Sequence, residues 1–163
     1  MASNRPPKKK GYKEMKRQDK YQDTSTFHFH NANPKNKITG DCVIRAICTA
    51  MERPYNEVYK ELFEFSVKYG YMLNDKKCYE KYLEAQGWTK HAQPRKDDNT
   101  KYTGWEFCER LSTDITAVGK TIIAHIGGHH LVCIKETGRC GYHKVHDHWN
   151  STDGCIGNYW TKR

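Results

Sequence analysis

Three segments of the chain carry the side chains that nucleophilic catalysis by cysteine requires. Cys42 follows a polar, turn-prone run, two histidines lie side by side at positions 129 and 130, and Asp147 lies in a third segment near the C-terminus. A thiol that attacks a carbonyl must be held as the thiolate, which needs a helix N-terminus beside the sulfur and an imidazole within hydrogen-bond reach. A carboxylate that fixes the imidazole completes such a set. The three segments therefore predict a nucleophile, its base and the group that orients the base.

The residues after Cys42 predict a buried helix. Apolar side chains recur there at helical spacing: Val43, Ile44, Ala46, Ile47, Ala50 and Met51. Pro34 and Gly40 end any earlier helix, so Cys42 is expected in the first turn. Free backbone N–H groups and the positive end of the helix dipole lower a thiol pKa at that position. The alternative is that Cys42 is only a small buried core residue, the usual role of a free cysteine.

The two histidines are expected where a hairpin turns back. Residues 121–126 have the apolar composition of a strand, Gly127 and Gly128 predict a turn, and an apolar run resumes at 131–134. Side chains alternate along a strand, so His129 and His130 project to opposite faces and only one of them can be the base. Residues 142–149 predict a third strand that pairs with the second, so that a carboxylate on it reaches the imidazole.

The order of these motifs resembles that of papain-like cysteine peptidases. A cysteine at the start of the first buried helix, His-Leu-Val at 130–132 and Asp-x-Trp-Asn at 147–150 are similar to the compact C39-like peptidases of bacteria and their phages. The resemblance covers about residues 31–160. It implies that Cys42 is the nucleophile, His130 the general base and Asp147 the orienting group, with His129 and Asn150 as alternates.

The chain departs from this family at the oxyanion donor. The family has a glutamine about six residues before the cysteine, and here that position is Asn36, which carries the same amide on a shorter stem. Asn33 is the substitute. Loss of one such donor costs about 100-fold to 1,000-fold in rate, so the departure keeps open a catalytically silent binding module. Trp149 is expected to shield the His–Asp pair from water, or else to be an ordinary aromatic residue at a sheet edge.

Between the site segments the pattern is mostly helical. Pro54 ends the first helix, a second helix ends at Gly70, a third covers residues 77–85, and Thr103 to Glu106 has the form of a capping box. The apolar residues predicted to place the second helix in the core are Val58, Tyr59, Leu62, Phe63, Phe65 and Tyr69. Helices followed by strands predict an α+β fold with an N-terminal helical half packed on a C-terminal antiparallel sheet. The resemblance implies the papain-like peptidase fold, with the cleft between the two halves.

Residues 1–26 predict a basic, flexible tail ahead of one catalytic domain over residues 27–163. Eight Lys or Arg stand against three acidic residues within 1–23, a net +5 of the chain's +9. The tail has few aliphatic residues with which to build a core. Such an arm can bind nucleic acid or another acidic partner by neutralising phosphates, and the alternative is a tail that only aids solubility. A nucleic-acid-binding or ribosome-associated protein is therefore a third functional class.

Composition sets the remaining expectations. With 36% hydrophobic residues the chain can build one core. It has no apolar stretch of about 18 residues and no signal-like N-terminus, so we expect a cytoplasmic protein without membrane contact. Seven cysteines form an odd set without pairing motifs, which favours free thiols in a reducing compartment.

Zinc is the rival interpretation of the C-terminal segment. The candidate ligands are Cys140, His143, His146, His148 and Cys155. Because they lack a paired C-x-x-C knuckle, we expect no metal and no other cofactor.

The function predicted from these patterns is a cysteine peptidase or isopeptidase acting on a polypeptide substrate through a thioester. The resemblance suggests a bacterial or phage source and cleavage after small residues such as a Gly-Gly pair.

Overall fold

The computed structural model describes residues 19–138 and 141–163, and the predicted α+β class is confirmed within them. Four α-helices and six strands follow one another along these residues. Their order is β1 (Phe27–Phe29), α1 (Cys42–Met51), α2 (Tyr55–Tyr69), α3 (Lys76–Ala85), β2 (Thr89–His91), α4 (Gly104–Thr113), β3 (Ile122–Ile126), β4 (His130–Thr137), β5 (Tyr142–Asp147) and β6 (Ile156–Thr161).

The six strands form one mixed sheet in the order β1-β5-β4-β3-β6-β2. Strand β1 pairs with β5 in parallel, and the other neighbouring strands are antiparallel. The predicted C-terminal antiparallel sheet is present as β3 to β6, but the complete sheet is mixed, because β1 joins it in parallel and both outer strands, β1 and β2, come before α4 in the chain. A parallel pairing needs a long crossover, and the chain from β1 to β5 supplies it by passing through all four helices.

Helices cover both faces of the sheet. Helices α1, α2 and α3 pack on one face, where Leu131 and Cys133 of β4 join their core. Helix α4 packs on the other face through Phe107, against Val132 and Ile134 of the same strand. The alternation of β4 side chains between two cores explains why this strand is a nearly continuous apolar run.

The ends of the helices follow their local sequence signals. Helix α2 ends at Gly70, whose φ of 74° lies in the left-handed region that glycine adopts without strain. Helix α4 begins with the predicted capping box, in which the Thr103 side chain and the Glu106 side chain each accept a backbone N–H of the other residue. The predicted break between the first two helices is also present at Pro54.

The second helix buries less than its composition predicted. Val58 and Leu62 are fully buried, but Tyr59 and Phe63 are 44% and 55% exposed. Placing these two aromatic residues in the core was therefore wrong, and so was placing Tyr69 there, which is 38% exposed. The residues of the buried pair, Val58 and Leu62, are four positions apart, and so are those of the exposed pair, Tyr59 and Phe63. Both pairs therefore satisfy helical spacing, but they lie on faces of α2 about 100° apart, and only the first face contacts the core.

Part of the predicted basic tail lies outside the described residues. Residues 1–18 carry most of its positive charge, so its contact with nucleic acid stays a prediction. The helices within the described residues include none that is long and apolar enough to cross a bilayer.

Candidate active site

Cys42 is the first residue of α1, and its side chain is half-buried. Asp41 occupies the N-cap position, but its side chain makes no capping hydrogen bond. The free N–H groups of the first turn are therefore not neutralised by the N-cap side chain. The positive end of the helix dipole lies at the residue that carries the sulfur, which favours a thiolate there.

His130 begins β4, directly after the turn that joins β3 to β4. Gly127 and Gly128 have φ values of 61° and 92°, which residues with a Cβ rarely adopt. The turn leaves His129 exposed. The His130 imidazole and the backbone of Leu131 both act to lower the pKa of the Cys42 thiol, so both groups lie close to the sulfur. The structure therefore brings Cys42 together with His130 and leaves His129 at the surface.

Asp147 is the last residue of β5 and reaches His130 across two strands. Cys133 of β4 lies opposite His146 of β5. The end of β5 therefore lies beside the start of β4, where His130 is located. The Asp147 Oδ2 accepts a hydrogen bond from His130 Nε2. Because a carboxylate only accepts, Nε2 carries a hydrogen and Nδ1 is the ring nitrogen left for the sulfur.

The ionisation of these three groups is shifted together. Burial raises the pKa of the Cys42 thiol, but the His130 hydrogen bond, the Leu131 N–H and the positive charges nearby outweigh burial, and the net pKa is below its usual value. Burial lowers the pKa of His130, but Asp147 and Cys42 outweigh it and raise that pKa to about 9. Both directions favour a thiolate beside an imidazolium.

The pKa of Asp147 lies well below its usual range. Burial acts to raise it, but hydrogen bonds from the His130 and His148 side chains and the charges of His130 and Arg45 outweigh burial. The backbone N–H of His148 also donates to Asp147 Oδ1 at 2.8 Å. The carboxylate therefore stays ionised at neutral pH, as an orienting group for an imidazolium must.

A buried arginine joins this group, and sequence reasoning missed it. Arg45 lies one turn after Cys42 on α1 and is 5% exposed. Its Nε donates to Asp41 Oδ1 and its Nη1 donates to Asp147 Oδ1, each at 2.8 Å. The one available signal was a charged residue inside the apolar run of α1, since buried arginine is rare unless it is paired.

The two candidate oxyanion donors make other contacts. Asn33 Nδ2 donates to Asp41 Oδ2 at 2.9 Å. Asn36 is exposed, and its Oδ1 accepts from Asn31 Nδ2 at 3.2 Å. Neither of these contacts joins an asparagine amide to Cys42, so the structure leaves the role of both residues as a prediction.

The other two candidates of the third segment lie beside the site. The Trp149 ring lies 5.2 Å from the His130 ring, centroid to centroid, with 39° between the planes. It is 36% exposed, so it covers the imidazole on one side while remaining open to solvent on the other. Asn150 is buried, and its Oδ1 accepts from the backbone and the hydroxyl of Thr152. Its side chain therefore stabilises the loop after β5.

Those residues of the rival zinc site that the structure describes do not converge. Among the described residues, no three His, Cys, Asp or Glu side chains are arranged to hold a metal ion. Cys140 lies outside the described residues. His143 Nε2 donates to the Lys120 carbonyl at 3.3 Å, and Cys155 is an exposed free thiol.

Comparison of the chain with protein-family models, with curated proteins and with solved structures finds no match in any of the three. The functional assignment therefore depends on the geometry of Cys42, His130, Asp147 and their neighbours.

Proposed function

We propose that this chain is a cysteine-dependent hydrolase of the papain-like type that cleaves peptide or isopeptide bonds. The single observation that carries the proposal is that one imidazole, His130, donates a hydrogen bond to the Asp147 carboxylate and also lowers the pKa of the Cys42 thiol. A helix N-terminus at the sulfur and an ionised carboxylate behind the imidazole are the surroundings that such a nucleophile needs.

The order of the elements supports the finer assignment of the fold. The nucleophile begins the first helix, the base begins a later strand, and the orienting group ends the next strand. This order is that of the papain-like peptidases that the sequence resembles. The helices α1 to α3 and the sheet form the two walls on which these residues lie.

The reaction follows from the ionisation of the pair. The Cys42 thiolate attacks the carbonyl carbon and forms a C–S bond, while the carbonyl electrons move to the oxygen. The intermediate then collapses, the C–N bond breaks, and His130 gives its Nδ1 proton to the leaving amine. Neutral His130 next takes a proton from water, whose oxygen attacks the thioester. The second collapse releases the carboxylic acid and returns the thiolate with its imidazolium.

The oxyanion of each intermediate needs hydrogen-bond donors near the sulfur. The first-turn N–H groups of α1 have no acceptor within the helix, so they are suitable donors. Asn36 and Asn33 are the candidates for a side-chain donor: the contact of Asn36 with Asn31 uses its Oδ1 acceptor, whereas Asn33 must release Asp41 before its Nδ2 can donate to substrate. Asp147 and Trp149 hold and shield the imidazole during both steps.

A peptide-based electrophile and a peptide library test the proposal together. A vinyl sulfone or acyloxymethyl ketone carried on a short peptide should label Cys42, and mass spectrometry of tryptic fragments identifies the labelled residue. The native chain should also cleave members of the library, with no cleavage by Cys42→Ala. His130→Ala should reduce turnover by about 100-fold to 10,000-fold, the usual contribution of a general acid–base group.

His129→Ala is the matched control, because this exposed histidine is adjacent in sequence and makes no contact with the sulfur in the geometry described above. It should keep near-native turnover. Labelling of Cys42 without cleavage of any library member would overturn the hydrolase and favour a binding module with a reactive thiol. Equal losses in the two histidine variants would overturn the assignment of His130 as the base.

A further inference from the structure

Arg45 is a buried charged residue that joins two carboxylates at the candidate site. Its guanidinium donates to Asp41 on one side and to Asp147 on the other, both at 2.8 Å, and Nη1 also contacts His148 Nδ1. A guanidinium removed from water is tolerated only when carboxylates and hydrogen bonds replace its hydration. Here two carboxylates do so, Asp41 at the N-cap of α1 and Asp147 at the end of β5.

The two carboxylates are themselves held in place. Asp41 Oδ2 accepts from Tyr55 Oη at 2.7 Å and from Asn33 Nδ2 at 2.9 Å. Asp147 Oδ2 accepts from His130 and, at 3.3 Å, from Ser151 Oγ. Arg45 binds the Oδ1 atom of each carboxylate, so each Oδ2 is left for its other partners. In Asp147 that other partner is the base.

The charges around the sulfur explain why an arginine is needed there. With Cys42 as thiolate, the site holds three negative charges, on Cys42, Asp41 and Asp147. Without Arg45, His130 is the only cation of the contact network described above that offsets them. The positive charge of Arg45 lowers the pKa of all three acidic groups. Its loss would leave two ionised carboxylates opposing the thiolate.

We propose that Arg45 is a positioning residue that fixes the Asp147 carboxylate toward His130 and ties the nucleophile helix to the strand carrying that carboxylate. The inference rests on the proposed function, since it assumes that Cys42 and His130 act as an ion pair. The Arg45 side chain contacts Asp41, Asp147 and His148, and not the Cys42 sulfur or the His130 ring. It acts through Asp147 and through the first turn of α1.

The test measures the thiol itself and needs no substrate. The rate of Cys42 alkylation by iodoacetamide is followed against pH, with the alkylated residue quantified by mass spectrometry, and the His130 ring is titrated by NMR. In Arg45→Gln the alkylation midpoint should rise by about half to one pH unit, because the thiolate loses a nearby positive charge and Asp147 loses one of its two partners. Arg45→Lys keeps the charge but cannot bridge both carboxylates, so it should fall between native and Arg45→Gln.

Tyr55→Phe is the matched control. It removes a hydrogen bond to Asp41 on the side away from Asp147, and it should leave the alkylation midpoint within a few tenths of a unit of native.

If Arg45→Gln fails to fold, Arg45→Lys and Asp41→Asn carry the test, because Asp41→Asn weakens one anchor of Arg45 while keeping its contact with Asp147. Asp41→Asn also removes a negative charge near the sulfur, so only the His130 titration is read in that variant, where the ring pKa should move away from native.

A folded Arg45→Gln or Arg45→Lys chain with the native midpoint and the native His130 titration would overturn the proposal and leave Arg45 a purely structural ion pair. If the proposed function is wrong, the result is different. Either the native chain shows the ordinary alkylation midpoint of a free thiol, or Arg45→Gln shifts the midpoint as expected but the native chain cleaves no peptide.

Discussion

Cys42 and Cys48 lie six residues apart on α1, and their surroundings give their sulfurs opposite properties. Burial is the largest influence on both thiols, and in both it acts to raise the pKa. For Cys48 burial prevails, and the pKa is raised to about 11. For Cys42 the contacts with His130 and Leu131 prevail, and the pKa is lowered.

The difference is made by β4 and not by the helix alone. Cys48 is 3% exposed, and its Sγ donates to the Arg45 carbonyl at 3.4 Å, a contact that favours the protonated thiol. Cys42 receives a donor and a cation from the start of β4. The position of a cysteine along α1 thus determines whether its sulfur lies next to the start of β4. The groups at the start of β4 then determine whether the thiol is activated as a nucleophile.

Removing the imidazole should abolish the contrast between the two cysteines. In His130→Ala, Cys42 loses its hydrogen bond and its neighbouring cation while burial still opposes the thiolate, so its pKa should rise above that of an ordinary thiol. Alkylation of Cys42 at pH 6 should fall by about 100-fold, with Cys48 unreactive throughout. Residue-resolved mass spectrometry of iodoacetamide adducts measures both thiols in one sample. Unchanged Cys42 reactivity in this variant would assign its activation to the helix dipole alone.

The raised pKa of His130 should also make the stability of the fold depend on pH. The folded value of about 9 exceeds the ordinary 6.5, so the stabilisation is complete below about pH 6.5 and is lost as pH rises through about 9. The free energy of unfolding of the native chain relative to His130→Gln should therefore be larger at pH 6 than at pH 10, by up to about 3 kcal/mol. Urea denaturation at the two pH values gives the difference.

His129→Gln is the control for this stability measurement, and its difference from native should vary little between the two pH values. A His130→Gln difference that is constant with pH would mean that the imidazolium is not favoured by the fold.

Substitution of Cys48 tests whether this buried residue influences the reactivity of Cys42. Cys48→Ala removes a buried sulfur and leaves a small void, which should cost about 1 to 2 kcal/mol of unfolding free energy. Its effect on the alkylation rate of Cys42 should be less than about twofold. Thermal denaturation and the pH profile of Cys42 check the two parts. A large change in Cys42 reactivity would show that packing under the middle of α1 controls the first turn.

The sequence predicted the elements whose signals are local. Gly70 ends α2, and the capping box of Thr103 and Glu106 starts α4, because these signals act within a few residues. The outer strands β1 and β2 have three residues each, too few to establish a period. The exposure of Tyr59 and Phe63 was missed because helical spacing fits either of two faces, and only the packing partners choose between them.

The residues of the candidate site show the same difference between features with a signal in the sequence and features set by distant contacts. Cys42, His130 and Asp147 were predicted from residue type and order, and the structure brings them into contact. Arg45 was not predicted, because one partner is local but the other, Asp147, is 102 residues away. The asparagines near Cys42 were assigned by analogy, and their actual partners depend on how the loop before α1 folds.

The separation of Arg45 from Asp147 also bears on the order of folding. Contacts between residues so distant in sequence form late, because the intervening chain must first be ordered. During synthesis, α1 leaves the ribosome long before β4 and β5, so Cys42 has neither base nor carboxylate while most of the chain is still being made. The thiol is therefore an ordinary one in the nascent chain, and its reactivity arises only when the last strands join the sheet.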